Sequence, residues 1–332
     1  MIDVLITVDT ECSLGGALAD DKKRPVNPER AVLGRIGSEY YGTPLIMDIL
    51  EINRLRGTFF IEVLASHVVN RQQMADAYGQ IVFRGHDVQL HLHPVYHYYK
   101  LLLQGSLRHD HLPLNMDMIG ALAPSTQIEL LQEGISLVRE FTGRTPVAFR
   151  AGCFGASSTT LSALQGVGIR YDSSFSAAYV GKTCLIESQH AINTPWQVGD
   201  VWEVPITNFE TGIGHFRGLK PLDVVAVSWP EMMRVLNAAD QLQLSPVVFL
   251  LHSLSLVKRA DVQCCRMRPD SLVIRRFKAL CRYLANNKDR FRTTTFSGPL
   301  QLTAANAPEI TPNLGTVLPL CRKLIQGLNR IC

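Results

Sequence analysis

The order of apolar and polar segments along the chain predicts an α/β barrel of parallel strands. Short apolar runs with the profile of buried strands alternate with segments of helical periodicity. Several of these runs end in a polar residue, and in a parallel barrel such ends surround one mouth, where functional sites form. The length of 332 residues is normal for one barrel of this kind. The sequence therefore predicts a single barrel with its site at the carboxyl ends of the strands.

Eight segments carry the strand profile, and six carry the helical one. The predicted strands cover residues 4–9, 57–63, the His-rich strand that runs to residue 94, 147–150, 169–172, 201–205, 247–252 and 291–296. The predicted helices cover residues 43–55, 70–79, 125–142, 158–166, 229–241 and 270–286. Residues 12–42 and 95–124 show little periodicity and are predicted to be long loops over the strand ends, the second with room for a short helix.

Composition and charge exclude several classes of protein. Hydrophobic residues make up 46% of the chain and charged residues 19%, so a large core can form and disorder is not expected. The net charge of +4 is small, and no basic run is interleaved with aromatic residues, which argues against nucleic-acid binding. No window reaches the roughly 18 apolar residues of a membrane span, and no signal peptide is evident, so we expect a cytoplasmic protein.

Two pairs of residues at the ends of predicted strands have the spacing of a metal site. Asp9 and Glu11 follow the first strand, and His91 and His93 end the third. Because residues i and i+2 of a strand point to the same face, each pair can face one pocket. Two imidazoles with a carboxylate, and positions left open, form the ligand set of a hydrolytic metal centre. The sequence therefore predicts metal-dependent hydrolysis.

Six motifs, in this order, resemble those of the polysaccharide deacetylase family, the NodB-homology carbohydrate esterases. The resemblance covers roughly residues 2–300. The matching segments are TVDTE at 7–11, GTFF at 57–60, GHDVQLHLHP at 85–94, FRAGCFG at 149–155, YDSS at 171–174 and LLH at 250–252. The resemblance implies a distorted (β/α) barrel of about seven parallel strands, with the active site at their carboxyl ends.

The resemblance also implies a set of metal ligands. His91 and His93 would bind the metal through imidazole nitrogens, and Glu11 would be the third ligand. Two alternatives stay open here. Asp9 and Glu11 could exchange roles, because the family commonly has adjacent carboxylates whereas Thr10 separates them in this chain. His97 could replace His93, because the second histidine of the family usually follows the first by four residues.

The same resemblance implies roles for four further residues. Asp9 would be the general base, and Arg150 would hold that carboxylate ionised and oriented. His252 would be the general acid that protonates the departing amine. Asp172 is included in the site as a residue that orients His252, and Glu203 is an equal candidate for that role.

The implied reaction is removal of an N-acetyl group from an amino sugar by one divalent metal ion. Zinc is the first choice, and iron, cobalt and nickel are compatible with the ligands. The substrate would be nucleotide- or lipid-linked and belong to the assembly of a bacterial surface polysaccharide such as O-antigen. The alternatives are a deformylase, an amidase acting on a small linear or cyclic amide, and a non-catalytic sugar-binding barrel. The oligomeric state is left open.

The chain is divided into two parts of unequal size. Residues 1–302 are assigned to the barrel, and residues 303–332 form a C-terminal extension. This extension is rich in Pro and Asn at its start and ends in a basic amphipathic segment, which predicts a short helix. Packing on the barrel is the expected role of that helix, with contact to a membrane surface or a second copy as alternatives.

Overall fold

The computed structural model describes residues 1–188, 192–212 and 218–302. Its strands are β1 Ile2–Thr10, β2 Arg35–Ile36, β3 Glu39–Tyr40, β4 Thr58–Glu62, β5 Asp87–Leu92, β6 Ala148–Ala151, β7 Tyr171–Asp172, β8 Trp196–Val198, β9 Val201–Glu203, β10 Asn208–Thr211, β11 Gly218–Pro221, β12 Val247–His252, β13 Val257–Arg259, β14 Met267–Pro269 and β15 Phe291–Thr294. Its helices are α1 Pro28–Ala31, α2 Thr43–Ile52, α3 Arg71–Phe83, α4 Val95–Leu103, α5 Pro124–Thr142, α6 Ser158–Gly166, α7 Trp229–Leu242 and α8 Ser271–Asn286.

The main sheet has the strand order β12-β1-β4-β5-β6-β7-β9-β8. Seven consecutive strands, from β12 to β9, run parallel, and β8 is antiparallel to β9 at the edge. Strand β15 pairs in parallel with the first half of β1, before β4 joins the same side of that strand. The predicted barrel of about seven parallel strands is therefore confirmed.

The sheet curls until its two edges approach each other. Thr207, four residues after the end of β9, donates its backbone N–H to the carbonyl of Val248 at 3.4 Å. The side chain of Thr207 accepts a hydrogen bond from the backbone N–H of Val248 at 2.9 Å. A stretch of irregular backbone thus bridges β9 and β12, which explains why the barrel is distorted.

Burial of the central strands follows from their sequence. Every residue of β1 and of β4 is buried, because helices cover the outer face while side chains from facing strands fill the interior. Helix α8 illustrates the outer layer, since Val273, Phe277 and Leu280 are buried at spacings of three and four residues. The core therefore lies both inside the curled sheet and between the sheet and its helices.

The two predicted loops contain more structure than their periodicity indicated. Helix α4 begins immediately after Pro94, and Tyr96 and Tyr99, three residues apart, are its buried side chains. Residues 12–42 contain helix α1 and the short hairpin of β2 and β3. Short helices with few buried positions give little periodic signal, which is why the sequence indicated mainly loop in both regions.

Several expectations concern the end of the chain or its surroundings. Residues 303–332 lie outside the described part of the structure, so the predicted C-terminal helix and the division into two parts stay predictions. Within the described ranges, no helix is both long enough and apolar enough to cross a membrane. The cytoplasmic location also stays a prediction.

Candidate metal centre

Glu11, His91 and His93 meet at the carboxyl ends of β1 and β5. The Nε2 atom of His93 lies 2.7 Å from Oε2 of Glu11, and Nε2 of His91 lies 3.5 Å from the same oxygen. One ligand atom from each of the three residues lies within 4.8 Å of the other two. The imidazole rings are nearly perpendicular, at 81°, with centroids 4.9 Å apart. As predicted from their i, i+2 spacing, the two histidines therefore place both imidazole rings beside Glu11.

The ring of His91 is oriented by the neighbouring strand. Its Nδ1–H donates a hydrogen bond of 2.8 Å to the backbone carbonyl of Arg150 on β6. This bond leaves the lone pair of Nε2 directed at Glu11, and that atom is buried without a hydrogen-bond partner among the described residues. Buried polar atoms are rarely left unsatisfied. A metal ion bound by this lone pair would satisfy it, so the residues fit a cation.

The ring of His93 is oriented by a carboxylate. Its Nδ1 lies 2.8 Å from Oδ2 of Asp117, and the other oxygen of Asp117 accepts the backbone N–H of Val95 at 3.2 Å. A carboxylate behind a ligand imidazole fixes the ring and raises its basicity. Sequence reasoning missed Asp117, because this residue lies between two methionines in a segment without periodicity and no local pattern marks it.

The charges around Glu11 indicate that the site requires a positive partner. Burial, the largest single effect, would raise the pKa of Glu11, but the charges of His93 and His252 and the contacts with both imidazoles together hold this pKa well below its usual value. Burial would lower the pKa of His93, but Asp117 and Glu11 raise it well above its ordinary value. A proton on His93 therefore balances two acids in the absence of a metal, and a divalent cation can take over that balancing charge.

The two alternatives for the ligand set are separated by the structure. His97 lies on α4, where the charged groups around it are Glu133 and Lys100, and not Glu11. The chain turns into that helix directly after Pro94, which directs His97 away from the strand ends. Asp9 contacts Arg150 and does not join the imidazoles. The structure thus brings together Glu11, His91 and His93.

Asp9 and Arg150 form a buried ion pair beside the cluster. Nη1 of Arg150 lies 2.6 Å from Oδ1 of Asp9, and the two residues are 0% and 3% exposed. The guanidinium also donates to Thr7 Oγ1 and to the carbonyl of Ser173, both at 2.9 Å, and lies 4.2 Å from the centroid of the Phe60 ring. Because so many contacts hold the cation, the carboxylate of Asp9 is fixed in position beside it.

His252 lies on the other side of Asp9. The two residues are directly paired in the register of β12 and β1. His252, Glu11 and Asp223 together line a cavity of about 440 Å³. Burial raises the pKa of Asp223, and the charge of His252 acts in the opposite direction. A carboxylate close to His252 is therefore present, and it is Asp223.

This arrangement corrects the expectation that Asp172 or Glu203 orients His252. Asp172 and Glu203 are paired in the register of β7 and β9, and both are fully buried. Asp172 accepts a 2.6 Å hydrogen bond from Ser174 and interacts with the carboxyl group of Glu203. The two acids thus interact with each other, whereas the carboxylate on which the charge of His252 acts is Asp223.

Asp223 has a weak signature in the sequence that could have identified it. It is a single acid within the apolar run of residues 222–225, and such a residue is a candidate buried carboxylate. Its position beside β12 follows from hydrogen bonds between the backbone of Leu250 and those of Leu222 and Val224. That long-range pairing is not visible in the local pattern.

Comparison with solved structures gives the same fold. A proposed polysaccharide deacetylase from Mycobacterium smegmatis is 17% identical, with 92% of this chain and 94% of that chain covered and a TM-score of 0.52. A family 4 carbohydrate esterase from Streptomyces lividans is 12% identical, with 94% and 98% covered and a TM-score of 0.44. The chain matches no protein-family model and no curated protein sequence. The first likeness confirms, at the level of the fold, the barrel that the motifs implied.

Proposed function

We propose that this protein is a metal-dependent hydrolase that removes the N-acetyl group from an amino sugar. One observation carries the proposal: the buried Nε2 atom of His91 has no hydrogen-bond partner in the described part of the chain and faces Glu11 and His93. The fold of the Mycobacterium structure and the order of the sequence motifs support the same reaction class.

Glu11, His91 and His93 would hold the metal. When bound there, a divalent cation lowers the pKa of water and polarises the acyl oxygen of the substrate. Zinc suits two imidazoles and a carboxylate, and iron, cobalt and nickel accept the same ligands. The hydrogen bonds from the two rings to Arg150 O and to Asp117 keep both Nε2 atoms directed into the site.

Asp9 is the proposed general base. Its carboxylate is immobile because Arg150 binds it, so it can accept the proton of an attacking water without reorganising. Phe60 and Thr7 keep the guanidinium in place from two further sides. Arg150 therefore acts through Asp9 and is a positioning residue.

His252 is the proposed general acid. An amine leaves an amide only when it is protonated, because the bare amide anion is a very poor leaving group. His252 lines the same cavity as Glu11, and Asp223 lines that cavity with it. This proximity makes Asp223 the proposed partner that orients His252 when the proton is delivered.

We further propose that the substrate belongs to the assembly of a bacterial surface polysaccharide such as O-antigen. The H-L-H-P form of the histidine motif and the D-x-E form of the first motif support this, through their resemblance to variants of the deacetylase family in such biosynthesis. A cytoplasmic location is part of the same proposal.

The test combines metal analysis with acid release. The zinc-loaded protein is incubated with N-acetyl and with N-formyl amino sugars, and the released acetate or formate is measured. We expect bound metal near one equivalent and faster release of acetate. His91→Ala should lose metal and turnover with its fold intact, whereas His97→Ala, a histidine outside the cluster, should keep both. Faster release of formate would show that the enzyme is a deformylase and not a deacetylase. Sugar binding without turnover would identify a non-catalytic barrel.

A further inference from the structure

A large groove lies next to the candidate site and is walled by basic residues. It has a volume of about 950 Å³ and is formed by β13, β14, the start of α8 and the segment around Val225. Its charged lining residues are Lys258, Arg259, Arg266, Arg268, Asp270 and Arg276. Five cations thus surround one acid in a volume that suits a cofactor-sized ligand. We name this cavity the basic groove.

The basic groove meets the cavity that contains Glu11 and His252. Val225, Arg259 and Asp270 belong to the walls of both. A ligand that filled the basic groove would therefore end beside the strand ends that carry the candidate site. The two cavities together can hold a substrate with a reacting part and an anionic part.

The hairpin of β13 and β14 places two cations directly opposite each other. Lys258 and Arg268 are paired in the antiparallel register, and both line the groove. Like charges in directly opposite positions destabilise a two-stranded sheet. An anion bound beside both side chains would reduce the repulsion between these two cations.

Arg276 adds a fixed cation to the wall. This residue is 5% exposed, and its guanidinium donates a 3.1 Å hydrogen bond to the carbonyl of Val225. The acid of the groove, Asp270, already accepts the backbone N–H groups of Leu272 and Val273 as the N-cap of α8. Asp261 pairs with Arg266 at 3.7 Å at the outer end of the hairpin.

We propose that the basic groove binds the diphosphate of a carrier to which the amino sugar is linked. This inference rests on the proposed function, because it assigns a substrate class to the same site. Arginine side chains match the oxygens of phosphate groups, and several around one cavity favour a group with more than one negative charge. Apolar lining residues such as Met267 and Leu272 leave room for the organic part of the carrier, either a nucleoside or a prenyl chain.

Binding is tested first without the metal, so that a diphosphate cannot coordinate to it. The full-length protein is treated with a chelator and titrated calorimetrically with UDP, inorganic pyrophosphate and farnesyl diphosphate. We expect saturable binding that weakens as salt is added. Tighter binding of UDP would assign a nucleotide carrier, and tighter binding of farnesyl diphosphate a lipid carrier. Absence of saturable binding for all three would overturn the proposal.

The matched variants are Lys258→Gln with Arg268→Gln, and Arg275→Gln as the control. Arg275 is exposed on α8 and lines neither of the two cavities. The double variant should weaken diphosphate binding about tenfold or more, the size expected from losing charge-assisted hydrogen bonds. The control should bind as the unchanged protein does. Equal binding in all three proteins would contradict the role of the hairpin.

Turnover separates this inference from the proposed function. With zinc bound, the double variant should raise KM for UDP-N-acetylglucosamine about tenfold and leave KM for N,N′-diacetylchitobiose unchanged. If both substrates are hydrolysed and neither KM changes, the basic groove is not a carrier site although the hydrolase is confirmed. If neither is hydrolysed but UDP binding depends on Lys258 and Arg268, the groove stands and the proposed reaction fails.

Discussion

Two pairs of acids lie at strand ends of the barrel, one pair after β1 and the other on β7 and β9, and the two pairs have opposite electrostatic surroundings. At the end of β1, Asp9 binds the guanidinium of Arg150, and Glu11 lies against the imidazole of His93. The pKa of Glu11 is held well below its usual value, since the imidazoles of His93, His91 and His252 together outweigh the effect of burial. Glu11 therefore stays ionised, and Asp9 has a fixed cation beside it.

At the ends of β7 and β9 the acids have only each other. Burial raises the pKa of Asp172, and burial together with Asp172 raises the pKa of Glu203 well above its usual value. This pair therefore retains a proton, whereas Glu11 is charged. The comparison teaches that an acid at these strand ends has the charge that a metal ligand would need only where the fold supplies a cation beside it.

The largest expected effect comes from replacing one acid of each pair by its amide. Glu11→Gln should lose the metal and lower turnover about a thousandfold, equivalent to about 4 kcal/mol of transition-state stabilisation. Glu203→Gln should keep metal and turnover, because its carboxyl group is already protonated. Elemental analysis and acetate release measure both variants. Loss of metal from Glu203→Gln would contradict the proposed difference between the two pairs of acids.

The second largest effect is expected from replacing Arg150, the cation that binds Asp9. Arg150→Met leaves Asp9 as an uncompensated buried charge and should lower the free energy of unfolding by about 3–5 kcal/mol. Adding Asp9→Asn should recover most of that stability while turnover stays low, because the base is then missing. Urea unfolding of both variants gives the free energies. A stability unchanged by Arg150→Met would show that the ion pair is unimportant.

The third effect is smaller and concerns the acid behind His93. Asp117→Asn keeps the size of the side chain but weakens its hold on the imidazole, and should lower metal affinity about 10- to 100-fold. Competition with a chromophoric chelator measures the affinity. Asp110→Asn provides a control, because Asp110 is exposed and contacts Arg108 away from the cluster. Equal affinities in the two variants would remove Asp117 from the metal site.

The smallest effect is the pH dependence that the second pair gives to stability. A carboxyl group whose pKa is raised by folding stabilises the protein below its unfolded pKa, about 4.3 for Glu, and loses this contribution as pH rises through the folded pKa. The free energy of unfolding should therefore fall more steeply with rising pH in the unchanged protein than in Glu203→Gln. Burial also raises the pKa of Glu62, to about 8. Glu62 therefore adds the same kind of decrease in stability with rising pH to both proteins, and this contribution cancels in the comparison. Urea unfolding of both metal-free proteins across pH 5–8 measures how the free energy of unfolding depends on pH. If this dependence is the same in the two proteins, Asp172 and Glu203 do not share a proton.

The sequence predicted those parts of the site that follow from local geometry. Glu11, His91 and His93 meet because strand positions two apart share a face and because β1 and β5 both flank β4. The barrel itself follows from the alternation of apolar runs and helical segments, which is a property of the whole chain.

The remaining residues depend on which elements become neighbours in the folded chain. Asp172 ends a strand as Asp9 does, but the strand order places it beside Glu203 of β9, whereas Asp9 lies beside His252 of β12. Asp117 and Asp223 come from irregular segments that reach the site through long-range contacts. Their side chains have no periodic neighbours, so no local pattern could reveal their partners.

Arg150 serves the candidate site through two chemically different parts. Its guanidinium holds Asp9, and its backbone carbonyl holds the ring of His91. A point mutation can delete the first of these contacts but not the second, since every amino acid keeps a main-chain oxygen. Substitution of Arg150 therefore leaves the hydrogen bond that sets the tautomer of His91 in place. The tautomer of His93, in contrast, depends on the side chain of Asp117. Drift in metal preference among descendants of this chain should therefore begin at position 117.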